Sequence, residues 1–232
     1  LGHAESLLLE AGSAARRLGI ESLAIEDGLG MLRLHQGATD DAERHFERAR
    51  ALARREGDHD GEFQALAHRV ALEIERRRWR DAAPLAGELA GIAAKLRGGS
   101  EGPFAAALVA LCALAEGGDA GALDVAIEDL RLADSKHRLA FVLTRAGEIE
   151  LARGEAEKAR ARGLEAARAA AQLESASEAA LAQVLLARAS AAAAGTAPSP
   201  ADLDGLPRDG AAPLSAYARA AIAALVEGGS GR

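Results

Sequence analysis

The sequence predicts an all-α fold, a superhelical solenoid of paired antiparallel helices. Ala, the strongest helix former, makes up about a quarter of the chain, whereas aromatic residues make up only 3%. Apolar residues recur at intervals of three and four along nearly the whole sequence, as they do on one face of a helix. A spaced set of small residues also occurs twice, at a distance that corresponds to a whole number of repeats.

The repeated set has intervals of seven, five, four and three residues. Its first copy is Gly30, Gly37, Ala42, Phe46 and Ala49, and its second copy is Gly147, Gly154, Ala159, Gly163 and Ala166. The two copies lie 117 residues apart, which equals three steps of 39. A period in this range is typical of stacked helical pairs, each of which buries its apolar face only against its neighbours.

Glycines and capping residues predict where the helices begin and end. Glycines that follow apolar stretches close helices, because glycine readily adopts the left-handed conformation of a C-cap. Asp40 followed by Glu43, and Ser175 followed by Glu178, resemble capping boxes at helix starts. The predicted helices cover residues 3–18, 21–36, 40–56, 60–77, 81–97, 102–116, 120–133, 137–153, 156–173, 177–194 and 213–227. The eight from 21 to 173 form four pairs, helix 3–18 is the second helix of an earlier pair, and helix 177–194 begins a fifth pair.

The helical pattern stops after residue 194. Four of the six prolines lie between residues 195 and 213, where they remove backbone donors and fix unsuitable angles. The predicted organisation is therefore a solenoid over residues 1–194, a Pro/Gly-rich insertion or linker over 195–212, and a C-terminal capping helix and tail over 213–232.

Charge and cysteine content exclude several classes of function. The formal net charge of −7 argues against a general nucleic-acid binder, which requires a basic surplus. Cys112 is the single cysteine, so an internal disulfide is excluded and a reducing, cytoplasmic compartment is expected. The longest apolar run, residues 104–115, has 12 residues and is too short to span a bilayer. We therefore expect neither a nucleic acid nor a membrane as partner.

Histidines and carboxylates lack the spacing of a metal or nucleotide site. The sequence contains no His pair of a zinc helix and no Gly-Lys-Ser or Gly-Lys-Thr phosphate loop. We therefore expect no metal, no cofactor and no catalytic activity. Carboxylates on first helices that could act as acids or bases are Asp27, Glu73, Glu75, Glu148 and Glu150, although a solvated surface also explains them. An α-helical enzyme domain with an unrecognised carboxylate site is one alternative.

A basic cluster surrounds the single tryptophan. Arg76, Arg77, Arg78 and Arg80 flank Trp79, and arginine beside an aromatic ring is typical of contact with phosphates or single strands. The same arginines end a predicted helix, where cations interact favourably with the helix dipole. A nucleic-acid-binding helical array is therefore a second alternative.

Several of these residues resemble the tetratricopeptide repeat. Leu29-Gly30 and Ala42-x3-Phe46 match its template, and Ala146-Gly147 with Ala159-x3-Gly163 form a second copy. The predicted spacing of about 40 residues resembles the longer repeats of maltose-activator-like bacterial regulators. The resemblance implies a binding scaffold, the sensor or docking arm of a larger bacterial signalling or transcription regulator. We accordingly interpret the chain, which begins at Leu1 without a signal-peptide pattern, as a fragment of a longer protein.

First helices of such repeats line the concave side, so a binding groove is expected there. Helix 102–116 has no polar side chain from Pro103 to Ala115, and its neighbours in the stack cannot cover it completely. The predicted groove residues are Met31, Leu34, Phe104, Leu111, Leu114, Phe141 and Leu151. The expected partner is a protein, a peptide, an apolar small ligand, another domain of the parent chain or a second copy in a homodimer. Alternatively, Ala-rich packing or helix 213–227 buries the strip on 102–116.

Overall fold

The computed structural model describes residues 2–173, 175–198 and 214–229 of the chain. These residues form eleven α-helices and no β-strand, so the all-α prediction is confirmed for the described part. The helices are α1 (Gly2–Leu18), α2 (Leu23–Gln36), α3 (Thr39–Glu56), α4 (His59–Glu75), α5 (Trp79–Ala93), α6 (Glu101–Ala115), α7 (Gly121–Leu132), α8 (Lys136–Ala152), α9 (Ala156–Gln172), α10 (Ala176–Ala194) and α11 (Ala216–Gly229). The expected irregular segment 195–212 lies largely outside the described residues.

Each predicted helix corresponds to one observed helix, and the largest difference lies at the end of α5. The sequence places this end at residue 97, whereas α5 ends at Ala93. Beyond it the chain tightens, because the N–H groups of Lys95 and Leu96 bond to carbonyls three residues earlier. Gly98 and Gly99 then follow with φ angles of 79° and 81°, which only glycine adopts readily.

The helix ends confirm the glycine caps but not the capping boxes. Gly37, Gly57 and Gly195 close α2, α3 and α10 in the left-handed conformation. Asp40 lies inside the first turn of α3, after the N-cap Ala38, and Ser175 makes no side-chain cap bond at α10. The capping-box side-chain bonds predicted at both starts are therefore wrong, although Ser175 is the N-cap residue of α10 as predicted. At α3 the reason is tertiary, since the Asp40 carboxylate lies 2.5 Å from the guanidinium of Arg76, the C-cap residue of α4.

Two compact units divide the chain within α6, the first covering Leu1–Cys112 and the second Ala113–Arg232. In the first unit α1 to α5 pack consecutively, and α2 also contacts α4. In the second unit α7 to α11 pack consecutively, and α8 also contacts α10. Most connections have two or three residues, so consecutive packed helices run antiparallel. Within the described residues, no helix combines the length and apolar character needed to cross a bilayer.

Close approach between neighbouring helices occurs at two glycines of the repeated set. A Cβ added at Gly30 of α2 would lie 2.4 Å from a ring carbon of Phe46 in α3. A Cβ added at Gly147 of α8 would lie 2.5 Å from a methyl carbon of Leu185 in α10. Phe46 and Leu185 are both buried, so neither side chain has room to move away.

Polar side chains join helices that lie about one repeat apart in sequence. Arg54 of α3 donates to Glu88 of α5 at 2.5 Å, across 34 residues. Arg131 of α7 donates to Glu165 of α9 at 2.6 Å, also across 34 residues. Within both units, alternate helices along the chain are therefore close enough for side-chain contact.

Replacing Gly30 with Ala should destabilise the protein, whereas replacing Gly87 with Ala should stabilise it. The methyl group at residue 30 forces Phe46 out of place and costs about 1–3 kcal/mol of unfolding free energy. Gly87 is exposed inside α5, and no atom lies within 4 Å of the point that a Cβ would occupy. Ala there should therefore add about 0.5–1 kcal/mol through helix propensity. Urea unfolding followed by circular dichroism measures both changes, and equal effects at the two positions would contradict the close contact.

Candidate functional site

The predicted groove residues fall into both units and most of them are buried. Met31 is 39% exposed and Leu34 is partly buried in the first unit. Phe104, Leu111 and Leu114 of α6 are 8%, 0% and 1% exposed, so the expectation that they form an exposed strip is wrong. Phe141 is buried and Leu151 is partly buried in the second unit. A binding role for these seven residues stays a prediction.

The sequence could not have shown which face of α6 reaches solvent. Its exposed residues include Ala106, Val109 and Ala113, which follow one another at helical spacing. From Pro103 to Ala115 no polar side chain marks a solvent-facing side. The exposed face of α6 is therefore set by the packing of this helix and not by its local pattern.

A cluster of aromatic and charged side chains lies where Tyr217 of α11 reaches α8. The Arg145 cluster, as we name it, consists of Phe141, Arg145 and Glu148 of α8, Glu178 of α10 and Tyr217 of α11. Arg145 is 1% exposed, and its guanidinium carbon lies 4.6 Å from the ring centre of Phe141 and 4.7 Å from that of Tyr217. Both distances allow cation–π attraction. One guanidinium nitrogen lies 3.7 Å from a carboxylate oxygen of Glu178, and the Tyr217 hydroxyl donates to Glu148 Oε2 at 2.8 Å.

An apolar contact between α10 and α11 continues this cluster. Ala180, Leu181, Val184 and Ala187 of α10 meet a set of α11-side residues, namely Leu214, Tyr217, Ala218, Ala221, Ile222 and Leu225. The N–H group of Ser215 donates to Ser177 Oγ at 2.9 Å and fixes the start of α11. We call the surface under α11 the helix seat: Phe141, Arg145 and Glu148 of α8, with Ala180, Leu181, Val184 and Ala187 of α10.

Corresponding positions of α4 in the first unit can be found from the repeat spacing. Gly30 of α2 and Gly147 of α8 lie 117 residues apart, and Ala42 and Ala82 show that one step from a pair to the next takes 40 residues. Equivalent positions of α4 and α8 should therefore differ by 77 in residue number. Two structural features share this offset of 77. Glu73 and Glu150 are both 1% exposed, and Arg76 and Arg153 are the C-cap residues of α4 and α8.

The α4 face that corresponds to the helix seat remains accessible. Gln64, His68 and Ala71 stand at the places of Phe141, Arg145 and Glu148, and Gln64 is exposed while the other two are partly buried. His68 Nδ1 lies 2.8 Å from a carboxylate oxygen of Asp27 in α2, and Gln64 lies 2.8 Å from the other ring nitrogen. Gln64 is thus exposed and His68 partly buried in the first unit, whereas the corresponding Phe141 and Arg145 are buried in the second.

Most carboxylates considered as catalytic candidates have identified partners. Asp27 faces His68, Glu148 accepts from Tyr217, and Glu73 faces Arg69 and Arg76. Asp27 and Glu148 thus link two helices, whereas the contacts of Glu73 lie within α4 and its C-cap. The basic cluster also links helices, since Arg76 bonds to Glu43 at 2.6 Å and to Asp40 on α3.

Glu150 is buried in α8, and one of its carboxylate oxygens lies 3.3 Å from the Arg162 guanidinium of α9. Burial raises the pKa of Glu150, and the attraction of Arg162 opposes this effect without cancelling it. Burial by itself would lower the pKa of Arg162, but bonding to Asp124 and the charge of Glu150 raise it. Arg162 thus interacts with the carboxylates of both Asp124 and Glu150, so it balances the negative charge of the buried Glu150 only in part.

Binding of a metal ion or of a charged small molecule has little support in the described residues. Among them, no group of three or more His, Cys, Asp or Glu side chains is arranged to hold a metal ion. A cleft of 550 Å³ in the first unit is lined by residues 57–60, 95–99 and Glu101. Its three carboxylates and two basic side chains do not select a ligand of one charge, and Asp58 already caps α4 through the N–H group of Gly61.

Comparison with known proteins gives no match, either to models of protein families or to curated protein sequences.

Leu111 and Val109 of α6 offer a matched pair for testing which face of this helix is buried. Leu111→Glu places a charge where the side chain is 0% exposed, which should cost more than about 3 kcal/mol of unfolding free energy. Val109→Glu changes a residue that is 39% exposed, and the cost should stay within about 0.5 kcal/mol. Urea midpoints of the two variants measure the difference. A stable Leu111→Glu protein would contradict the observed orientation of α6.

Replacing Glu150 with Gln should change how stability depends on pH. The pKa of Glu150 is raised in the folded chain above the ordinary Glu value of 4.5. At pH values between these two pKa values, the folded chain keeps a proton on Glu150 that the unfolded chain has released. The free energy of unfolding should therefore fall as pH rises through this window, and Glu150→Gln should remove that decline. Urea unfolding at a series of pH values measures the slope. Identical slopes in wild type and variant would show that burial does not disfavour the charged form of Glu150.

Proposed function

We propose that this chain is a non-catalytic helical-repeat scaffold that binds a protein, a peptide or an apolar ligand on the face formed by its first helices. The observation that carries this proposal is the packing of α11. This helix packs on α10 and reaches α8 through Tyr217, and both α8 and α10 are first helices of predicted pairs. A surface that accepts a helix from its own chain has the shape and chemistry for helix-in-groove recognition.

A superhelical solenoid is the arrangement we propose for these helices. It is supported by consecutive packing within each unit and by contacts between first helices, α2 with α4 and α8 with α10. The bonds from Arg54 to Glu88 and from Arg131 to Glu165 join second helices at 34-residue separations. Neighbouring second helices at this spacing are what a stack of helical pairs requires.

The finer proposal is that the chain serves as the sensor or docking arm of a larger bacterial signalling or transcription regulator in the cytoplasm. Its support is the resemblance of the Leu29-Gly30 and Ala42-x3-Phe46 spacing to tetratricopeptide repeats, and of the repeat length to maltose-activator-like regulators. Exposed charged side chains on second helices, such as Arg44 and Arg48 of α3 and Arg160 of α9, suit an outer, solvated surface.

Photo-crosslinking in cells that naturally make this protein tests the binding face. A photoreactive phenylalanine analogue at Met31 or Val109, both 39% exposed on first helices, should crosslink one and the same protein. The analogue at Arg48 of α3 or Leu164 of α9, which are exposed on second helices, should not. The captured protein, once purified, should bind the wild-type chain, and Met31→Arg should weaken this binding at least tenfold while Arg48→Ala leaves it unchanged. Equal capture from both sets of positions would refute the assignment of the binding face.

A further inference from the structure

We propose that α11 is an exchangeable occupant of the helix seat, and that the partner replacing it is an amphipathic helix with a tyrosine. The pattern required is read from α11: Tyr217, a small residue next to it, and apolar residues four, five and eight positions later. This inference deepens the proposed function, on which it depends, because it names the partner class for the face of the second unit.

The chemistry of the helix seat favours a tyrosine over other aromatic residues. The ring centre of Tyr217 lies 4.7 Å from the guanidinium carbon of Arg145, and its hydroxyl donates to Glu148 at 2.8 Å. A phenylalanine keeps the first contact and loses the second, whereas an aliphatic residue loses both. The helix seat therefore recognises a ring and a donor at once.

Arg145 keeps part of its environment when α11 is absent. Phe141 and Glu178, which lie 4.6 Å and 3.7 Å from the guanidinium, belong to α8 and α10 and remain in place. An arginine and two glutamates can be hydrated once uncovered, which an apolar core cannot. An open helix seat therefore combines charged groups that water can hydrate with an apolar strip on α10, Ala180, Leu181, Val184 and Ala187, which favours renewed covering by a helix.

Packing holds α11 less firmly than the helices beneath it. Of its described side chains only Ala218 and Leu225 are buried, together with Leu214 just before the helix, whereas eleven residues of α8 are buried. Local opening requires less free energy where few apolar contacts are lost. In addition, 21 residues separate the end of α10 from the start of α11, and α10 has its own cap at Gly195. Release of α11 therefore does not require α10 to unwind.

The first unit shows that a first helix can fold with this face uncovered. Gln64, His68 and Ala71 of α4 occupy the corresponding positions and remain at least partly accessible. Covering by a further helix is therefore not a general requirement of the repeat.

A clamped form of the full chain tests the exchange. In a Cys112→Ala background, Ser177→Cys and Ser215→Cys place thiols where the Ser177 hydroxyl lies 2.9 Å from the Ser215 N–H group. The probe is a fluorescent peptide with the sequence of residues 214–229, added in trans and followed by anisotropy. With the thiols reduced it should bind, and with the disulfide closed binding should weaken at least tenfold and return on reduction. Binding that survives the closed disulfide would place the peptide elsewhere and overturn the proposal.

Variants of Tyr217 test the recognition itself. The full chain with Tyr217→Ala should bind the probe at least tenfold more tightly than wild type, because its own α11 competes less well. A probe with Phe in place of the tyrosine should bind a few-fold more weakly, and one with Ala at least tenfold more weakly. Circular dichroism of the Tyr217→Ala chain checks that it is folded. If the Tyr217→Ala chain is unfolded, the Tyr217→Phe chain and the chain with the closed disulfide provide the same comparison.

Native-state hydrogen exchange gives a readout that needs no peptide. Amides of α11 should exchange at least tenfold faster than those of α8 and α10, and the closed disulfide should slow them. Equal protection of α11 and α8, or a folded Tyr217→Ala chain that binds no probe, would overturn the exchange. Either result, combined with specific crosslinking at Met31 and Val109, would leave the scaffold function intact and make α11 a fixed part of the fold.

Discussion

Close contact between neighbouring helices at glycine positions is the constraint on which the rest of the structure depends. At Gly30 and Gly147, the space that a Cβ would need is already filled by Phe46 and Leu185, respectively. Helices can therefore approach closely, and short Ala side chains still find contacts in the core despite the scarcity of aromatic residues. The contact at Gly147 also brings α8 next to α10, the two helices that form the helix seat.

Buried glutamates then constrain how successive helices are aligned. Arg69 and Arg76 each pair both with Glu73 of α4 and with Glu43 of α3, and Glu150, which corresponds to Glu73, faces Arg162 of the next helix. Such buried pairs add little net stability, because the loss of hydration offsets much of their attraction. Separating the partners is nevertheless costly, since it leaves a charge in the interior without compensation. We interpret these pairs as devices that favour one alignment of neighbouring helices over others.

The helix seat places a buried guanidinium between two aromatic rings and beside apolar side chains of α10. Arg145 is fully buried under Tyr217, yet Phe141 and Glu178 belong to α8 and α10 and remain when α11 is absent. A surface of this kind can exist both covered and open. The corresponding positions of α4 carry Gln64, which is exposed, and His68, which is partly buried, so the two units present different side chains on this face.

The sequence by itself determined the all-α class and the approximate helix boundaries, because helical periodicity and glycine caps act over a few residues. It did not determine which face of α6 is buried, since residues 103–115 carry no polar side chain to indicate the solvent side. Nor did it indicate the Arg145 cluster, in which Tyr217 reaches Glu148 across 69 residues. A contact over such a separation depends on how whole helices pack, and only the tertiary structure decides that.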